Sequence, residues 1–531
     1  MNVAEFTLEQ LAAWGVRRAY GVMGDAILPL MDALARQQVI QFVQVRQEAA
    51  AGFMASAEAK LTGVPAVCIG TSGPGLANLI NGVADAYADR VPLLVLTGQV
   101  ESYKVGTDVK QEVNQQALMS GLAGYSALVA GPGGAPQVLV QALKTAVGEG
   151  RGAQVSVPKD YWSAPCDGAR IHPPEPFLTA PPVVSAAVLA QAAEVLGRAS
   201  RPVIMAGHGA RPAAGALLAL AEAWGAGIVV ALGGKGMLPG AHPLVLGGVG
   251  AGGSEAAHRA LKECDLVLIA GSTWWPAQYM PSGVPVVQVD RCPGNIGLKV
   301  AVDFGLPGDC AAVLPSLVPV VARCKEWAAQ LAGYRREWDA VLQREVTAEA
   351  DGVSPAALVH TLEAVLPPDA VVTLDTGDHV LWFNRHFRGS GAGQVLLSGT
   401  WRTMGYGLPA ASAAALARPG ATVAALVGDG GLTMQLGELA VPAQLGLNLT
   451  VVVARNGALA LEEFKARSEG LQPFGHTLNN PDFAAVARAF GWQAWRVESP
   501  AELEPALRQA VAHPGPALVD VNTAKDGSLH K

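Results

Sequence analysis

Asp429 and Asn456 are the two residues whose type and spacing point most directly to chemistry. The aspartate sits in Gly428-Asp429-Gly430-Gly431 after the apolar run 423–427, and the asparagine follows 27 residues later, after a second apolar run, 449–454. Helix-like sequence lies between the runs, so the stretch reads as a βαβ unit. Both strands of such a unit end on the same edge of a parallel sheet, which brings a carboxylate and an amide oxygen to one crevice. These are hard donors suited to Mg2+, which takes about six oxygens at roughly 2.0–2.1 Å and is readily shared with phosphate. Asp429, Asn456, the backbone carbonyl of Ala458, a water and two phosphate oxygens would complete that shell. Gly428, Gly430 and Gly431 lack the Cβ that would keep phosphate oxygens from backbone N–H groups.

Elements at the other end of the chain must position a second kind of group. The strand-like residues 43–47 lead through Glu48 into the apolar helical segment Ala49 to Ala55. Glu48 is thereby expected in a largely apolar setting, where burial raises a carboxyl pKa and favours a shared proton. Residues 67–78 follow as a strand, a Thr-Ser-Gly-Pro-Gly turn and a helix, with Thr71 and Gly73 in the turn and Asn78 beyond it.

With these pieces on one chain, the GDG-to-asparagine stretch resembles the diphosphate-binding motif of thiamine-diphosphate-dependent enzymes. Residues 67–99 are similar to the pyrimidine-binding domain of the pyruvate oxidase and acetolactate synthase branch. The resemblance implies that Glu48 hydrogen-bonds the aminopyrimidine of thiamine diphosphate, so that the exocyclic nitrogen removes the thiazolium C2 proton. Thr71, Gly73 and Asn78 then belong to the cofactor site. The family usually has His before this glutamate, and here Gln47 stands instead. Residues 400–410 resemble the segment that holds the cofactor bent, with Thr403 beside it and Met404 as the wedge between its rings. Gly377 and Asp378, in the turn 375–379, become further diphosphate contacts.

Gln111 aligns with a glutamine that faces substrate in oxidases and synthases, and the His-His pair of simple pyruvate decarboxylases is missing. Lys110 and Lys465 stand where this branch commonly has Phe and Glu or Trp. If both line the site mouth, the substrate or acceptor carries an anionic group beyond the carboxylate of pyruvate. The implied activity is decarboxylation of a small-molecule 2-oxo acid through an enamine intermediate, dependent on thiamine diphosphate and Mg2+ and most like pyruvate oxidase. An acetolactate-synthase-type carboligase and a catalytically silent family member are the alternatives.

Composition fits this reading. The chain has 531 residues, half of them hydrophobic and only 15% charged, so it can bury several cores, and its length suggests about three domains. A net charge of −7 provides no basic field for nucleic acid. The six cysteines show no CxxC or zinc spacing. Glu5 and Glu9 stand where a signal peptide would be apolar, and there is no run of 18 apolar residues. A cytoplasmic enzyme without membrane association is expected, and the end at Lys531 lacks the lipid-binding extension of some pyruvate oxidases.

The expected fold class is α/β, with three doubly wound parallel-sheet domains: a pyrimidine-binding domain over 1–165, a central Rossmann-like domain over 184–322 and a diphosphate- and Mg-binding domain over 350–531. A proline-rich linker, 166–183, and an amphipathic helix within 323–350, carrying Trp327, Leu331, Tyr334 and Trp338, divide them. In the central domain Gly207-His208-Gly209-Ala210-Arg211 follows a strand, and its Gly207, Gly209 and Arg211 resemble the glycine turn with which relatives bind FAD. The family arrangement, in which the glutamate of one subunit reaches the cofactor held by another, implies a homodimer or homotetramer.

Overall fold

The computed structural model describes every residue except 167–168, 178–182, 274, 526–528 and 530–531. Three six-stranded sheets, parallel throughout, carry the chain. The first contains β1 (Arg18–Gly21), β2 (Gln41–Gln44), β3 (Ala66–Gly70), β4 (Leu93–Gln99), β5 (Tyr125–Leu128) and β6 (Ala153–Pro158), in the order β2-β1-β3-β4-β6-β5. The second contains β7 (Pro202–Ala206), β8 (Gly227–Val230), β9 (Val245–Gly248), β10 (Leu266–Ala270), β11 (Val286–Asp290) and β12 (Phe304–Pro307), in the order β12-β11-β10-β7-β8-β9. The third contains β13 (Val371–Leu374), β14 (Gln394–Leu397), β15 (Val423–Gly428), β16 (Leu449–Arg455), β17 (Gln493–Val497) and β18 (Pro516–Asn522), in the order β14-β13-β15-β16-β18-β17.

The sequence patterns explain this architecture. Helices cover both faces of a parallel sheet, so its central strands read as unbroken apolar runs, as in Val423 to Val427 and Val451 to Val453, all fully buried or nearly so. The middle sheet has the strand order of a Rossmann fold read from one edge. The first and third sheets share one order, with a switch point between β1 and β3 and between β13 and β15. Ligands of such sheets bind where strand order reverses, at the carboxyl ends of the strands.

The expected amphipathic helix spans Lys325–Val346 and buries Trp327, Leu331, Tyr334 and Trp338 against the middle sheet's core. Of the proline-rich linker, His172 is strapped to the first domain, its carbonyl accepting from Gln10 Nε2 and Trp14 Nε1 at 2.7 Å each. Pro181-Pro182 lies outside the described residues.

The first and third sheets share one hydrophobic core. Helix Glu48–Thr62 packs between helix Pro74–Ala88 and the alanine-rich helix Gly407–Ala417. At the first of these crossings Gly52 faces Gly82, and a Cβ on Gly82 would come within 2.5 Å of Gly52 Cα. Beside the crossing, Lys60 Nζ lies 2.8 Å from both Asp85 and Asp89 and donates to the carbonyl of Leu397 at 2.9 Å. Burial works against the ammonium charge, but the two carboxylates outweigh it and hold the Lys60 pKa well above its ordinary value.

Gly82→Ala should therefore destabilise this helix crossing within the first domain by about 1–3 kcal/mol, the usual cost of overpacking a core. Thermal unfolding followed by circular dichroism checks this, and an unchanged midpoint would mean that the helices can separate freely.

Candidate active site

A cleft of about 740 Å³ opens at the switch point of the third sheet. Two carboxylates organise it, one after each central strand. Asp375 follows β13, is fully buried, and accepts the N–H of Thr376 at 2.7 Å and that of Gly405 at 2.8 and 3.1 Å on its two oxygens. It thus pins the segment that carries Thr403 and Met404. Burial pushes its carboxyl up to about 6, with the donated N–H groups working the other way. The neighbouring His379 is driven down to about 4 by burial. Its ring is therefore neutral at physiological pH, and its Nε2 lies 3.0 Å from the Asp375 carbonyl oxygen, to which a protonated Nε2 donates.

Asp429 follows β15 and is likewise buried. Its Oδ2 accepts from the N–H of Asn456 at 3.2 Å, the N–H of Gly457 at 2.7 Å and Nδ2 of Asn480 at 2.7 Å. Its Oδ1 accepts only the N–H of Gly430, at 2.9 Å, among the described contacts. Asn456 turns its side-chain oxygen toward the N–H of Ala458 at 3.1 Å. Asp429, Asn456, Ala458, Gly377, Asp378, Met404, Gly428, Gly430 and Gly431 all line the cleft.

The glycines have a reason the sequence did not suggest. A Cβ on Gly431 would lie 2.6 Å from the Asp375 carboxylate, and one on Gly430 would lie 3.0 Å from both Met404 Cε and Leu459 Cδ2. Their bareness admits the protein's own side chains, whatever else approaches from the cleft. One carboxylate, one amide and a carbonyl beside a strand-to-helix turn form a donor set that fits a hard divalent cation shared with a diphosphate.

Comparison with known proteins now bears on this geometry. Residues 1–118 match the N-terminal TPP binding domain of thiamine pyrophosphate enzymes, 189–317 match their central domain and 375–521 their C-terminal TPP binding domain. The chain belongs to the thiamine pyrophosphate enzyme family. It is 33% identical over 530 residues to a protein of Bacillus subtilis (strain 168) described as thiamine pyrophosphate-containing, covering 98% of this chain and 91% of the relative. Acetolactate synthase isozyme 1 large subunit of Escherichia coli (strain K12) is 31% identical over 531 residues, with 98% and 93% covered. Pyruvate oxidase of Lactiplantibacillus plantarum is 30% identical over 541 residues, with 98% and 88% covered.

Glu48, Thr71, Gly73, Asn78, Lys110 and Gln111 all belong to the first domain. Glu48 is the first residue of its helix, capped by the Gln47 side chain on the N–H of Ala49 at 2.7 Å, and its Oε2 accepts from Asn78 at 2.9 Å. The apolar setting expected for Glu48 begins one residue later, for Glu48 itself is partly exposed while Ala49 to Ala55 are buried. Glu48 is not among the residues lining the Asp429 cleft of its own chain. Thr71 receives the N–H of Ala26 at 3.3 Å. Gly73, at φ +62°, lies against Gln111, whose own φ of +65° is left-handed. Such backbone costs about 1–3 kcal/mol in a residue with a side chain and is typical of functional sites. Thr403 bridges the two domains, its hydroxyl accepting from Asn81 at 3.1 Å.

Lys110 is exposed, and Lys465 is an exposed residue of helix Ala460–Ser468 whose ammonium lies 2.8 Å from Glu462. In the middle domain, Gly207 and Gly209 are bare because Gly271 and Ser272 press against them; a Cβ on Gly207 would sit 2.5 Å from the Gly271 carbonyl oxygen. Arg211 donates to the carbonyls of Gly393 at 2.7 Å and Lys235 at 3.1 Å. The turn that resembles the relatives' FAD-binding turn thus rests against residues 271–272, and of the neighbouring flavin-side segment 271–276, Trp274 lies outside the described residues. Among the described residues no helix is long and apolar enough to cross a membrane.

Three residues escaped the sequence reading in these roles: Asp375, Asn480 and Glu438. Glu438 is buried in the third domain, yet its Oε1 accepts the N–H groups of Arg46 and Gln47, both at 2.9 Å, immediately before Glu48. Its Oε2 is buried and has no hydrogen-bond partner among the described residues. Burial pushes this carboxyl up to about 7, with those two N–H groups pulling it down. Its folded pKa exceeds its unfolded value, so its contribution to stability is fully present below about 4.5 and is lost as pH rises through 7. Glu438→Gln should match the native midpoint near pH 4.5 and exceed it at pH 8 by roughly 2–4 °C, the shift that about 1 kcal/mol produces in a domain of 150–250 residues. Melting curves across that range check the sign.

Proposed function

We propose that this chain is a thiamine-diphosphate- and Mg2+-dependent enzyme that decarboxylates a 2-oxo acid, most like pyruvate oxidase. The observation that carries the reading is the Asp429 carboxylate, held by N–H donors at the switch point of the third sheet with Asn456 and Met404 on the same cleft. Asp429, Asn456 and the Ala458 carbonyl would hold the metal, and Gly377, Asp378, Gly428, Gly430 and Gly431 would surround the diphosphate. Met404 and Thr403, anchored through Asp375, would fix the bend of the cofactor. Bound thiamine diphosphate supplies a nucleophilic carbon for the 2-oxo carbonyl and accepts the electron pair released with CO2. Glu48, oriented by Asn78, would exchange a proton with the aminopyrimidine, Thr71 and Gly73 would lie beside the cofactor, and Gln111 would face the substrate.

Glu48 lies outside its own chain's cleft, so in this reading a second copy supplies it, and the active unit is at least a homodimer. Glu48→Gln should lower turnover by roughly 10²–10⁴-fold, the range of a lost general acid–base group, with metal binding retained. Asp429→Asn should lose metal binding. Neither variant alone is active, but co-expressing them as hybrids should restore roughly a quarter of native activity, because half of randomly paired dimers then contain one intact site of two. No recovery in purified hybrids would place Glu48 and Asp429 in the same chain's site and overturn the arrangement.

The similarity to an acetolactate synthase is as strong as that to a pyruvate oxidase. Carbon–carbon bond formation is therefore the second reading. Product analysis with pyruvate separates the two: acetolactate without electron transfer marks a carboligase, whereas oxidised acetyl product with reduction of an acceptor marks an oxidase.

A further inference from the structure

We propose that Asn480 is a positioning residue that presents one oxygen of Asp429 to the metal. The inference rests on the metal site of the proposed function and adds a residue to it. A carboxylate offers about four lone-pair directions. In Asp429 three N–H donors crowd onto Oδ2 while Oδ1 takes only the N–H of its own neighbour, so the remaining acceptor capacity lies on Oδ1. Two of the Oδ2 donors are backbone groups of the turn that also bears Asn456. Asn480 is the side-chain donor, reaching across 51 residues.

It arrives on a segment built to hold it. Residues 476–478 run antiparallel to 457–459, with the N–H of Leu459 donating to the His476 carbonyl at 2.8 Å and the N–H of Leu478 to the Gly457 carbonyl at 2.9 Å. Two residues past Asn480, Asp482 caps helix Phe483–Ala489 through the N–H of Ala485 at 2.8 Å, and Phe483 is fully buried. Asn480 is thus fixed from both sides, and its amide stops the carboxylate from rotating about its last bond. Partners of this kind, one contact behind a metal ligand, typically change metal affinity by about 10–100-fold when removed.

The test is Mg2+ binding by isothermal titration calorimetry to the full-length protein saturated with thiamine diphosphate, with Mn2+ paramagnetic resonance counting bound ions. Asn480→Ala should weaken Mg2+ by about 10–100-fold at unchanged stoichiometry. Asn480→Asp, close in shape but unable to donate when ionised and of like charge to Asp429, should weaken it further. In both, high Mg2+ should restore kcat, a rescue by metal that a merely structural defect would not permit. Native Mg2+ affinity in Asn480→Ala and Asn480→Asp, with affinity lost in Asp429→Asn, overturns the role of Asn480 and leaves the proposed function standing. Native affinity in Asp429→Asn overturns the metal site itself, and this inference with it.

Discussion

A carboxylate taken out of water must be given N–H donors, and the donors it takes decide which segments of the chain meet. An uncompensated buried carboxylate is far costlier than an ordinary hydrogen bond is favourable. Three buried carboxylates in the third domain use this constraint in three directions. Asp375 draws in the Gly405 turn, Asp429 gathers the 456–457 turn and the Asn480 loop, and Glu438 collects residues 46 and 47 from the first domain. The loops of the cleft are irregular backbone, yet each is tied to a group planted at the end of a buried strand or on the short helical turn that follows. That gives loop residues the positional accuracy of the sheet.

Much of this was legible in the sequence, for identifiable reasons. The strands of the third sheet announce themselves because burial on both faces demands unbroken apolar runs, and the edge that Asp429 and Asn456 share follows from the right-handed βαβ rule. The helix Lys325–Val346 was readable from four aromatic and aliphatic residues on one face. Sequence could not reveal Asn480 or Glu438, whose contacts span 51 and about 390 residues and depend on loop paths that have no periodicity. Glu48 shows the complementary limit. The apolar run after it is real, but a residue at the first helical position takes its surroundings from whatever faces the sheet edge, and no pattern along the chain records that.

The first and third sheets share a strand order but not an edge chemistry. At the switch point of the third sheet stand Asp375 and Asp429, both buried and both surrounded by N–H donors. At that of the first stand Tyr20 to Gly24 and Thr71 to Gly73, without a carboxylate in the corresponding turn after β3. The same fold thus presents a carboxylate-bearing edge in one copy and a hydroxyl- and glycine-lined edge in the other. The packing of helix Glu48–Thr62 on helix Gly407–Ala417, with Lys60 donating to the Leu397 carbonyl, joins the pair through one core, so the separation between Glu48 and Asp429 within a chain is set by that core rather than by a hinge.

The middle domain then acquires a physical role that does not depend on a ligand. Arg211 and Lys235 are buried far enough that their pKa values fall to about 10 and about 8. Both donate to backbone carbonyls of the third domain: Arg211 to Gly393 and Lys235 to Phe387, at 2.7 and 2.9 Å. Those carbonyls flank the loop between helix Asp378–His386 and β14. The helix begins in the turn 376–378 that lines the cleft, and the strand lies next to β13, so the loop between them connects two elements that border the switch point. Two desolvated cations on its carbonyls hold that loop, since a charged donor withdrawn from those acceptors would be stranded without compensation. Through Arg211 and Lys235 the Rossmann-like domain thus braces the neighbouring sheet.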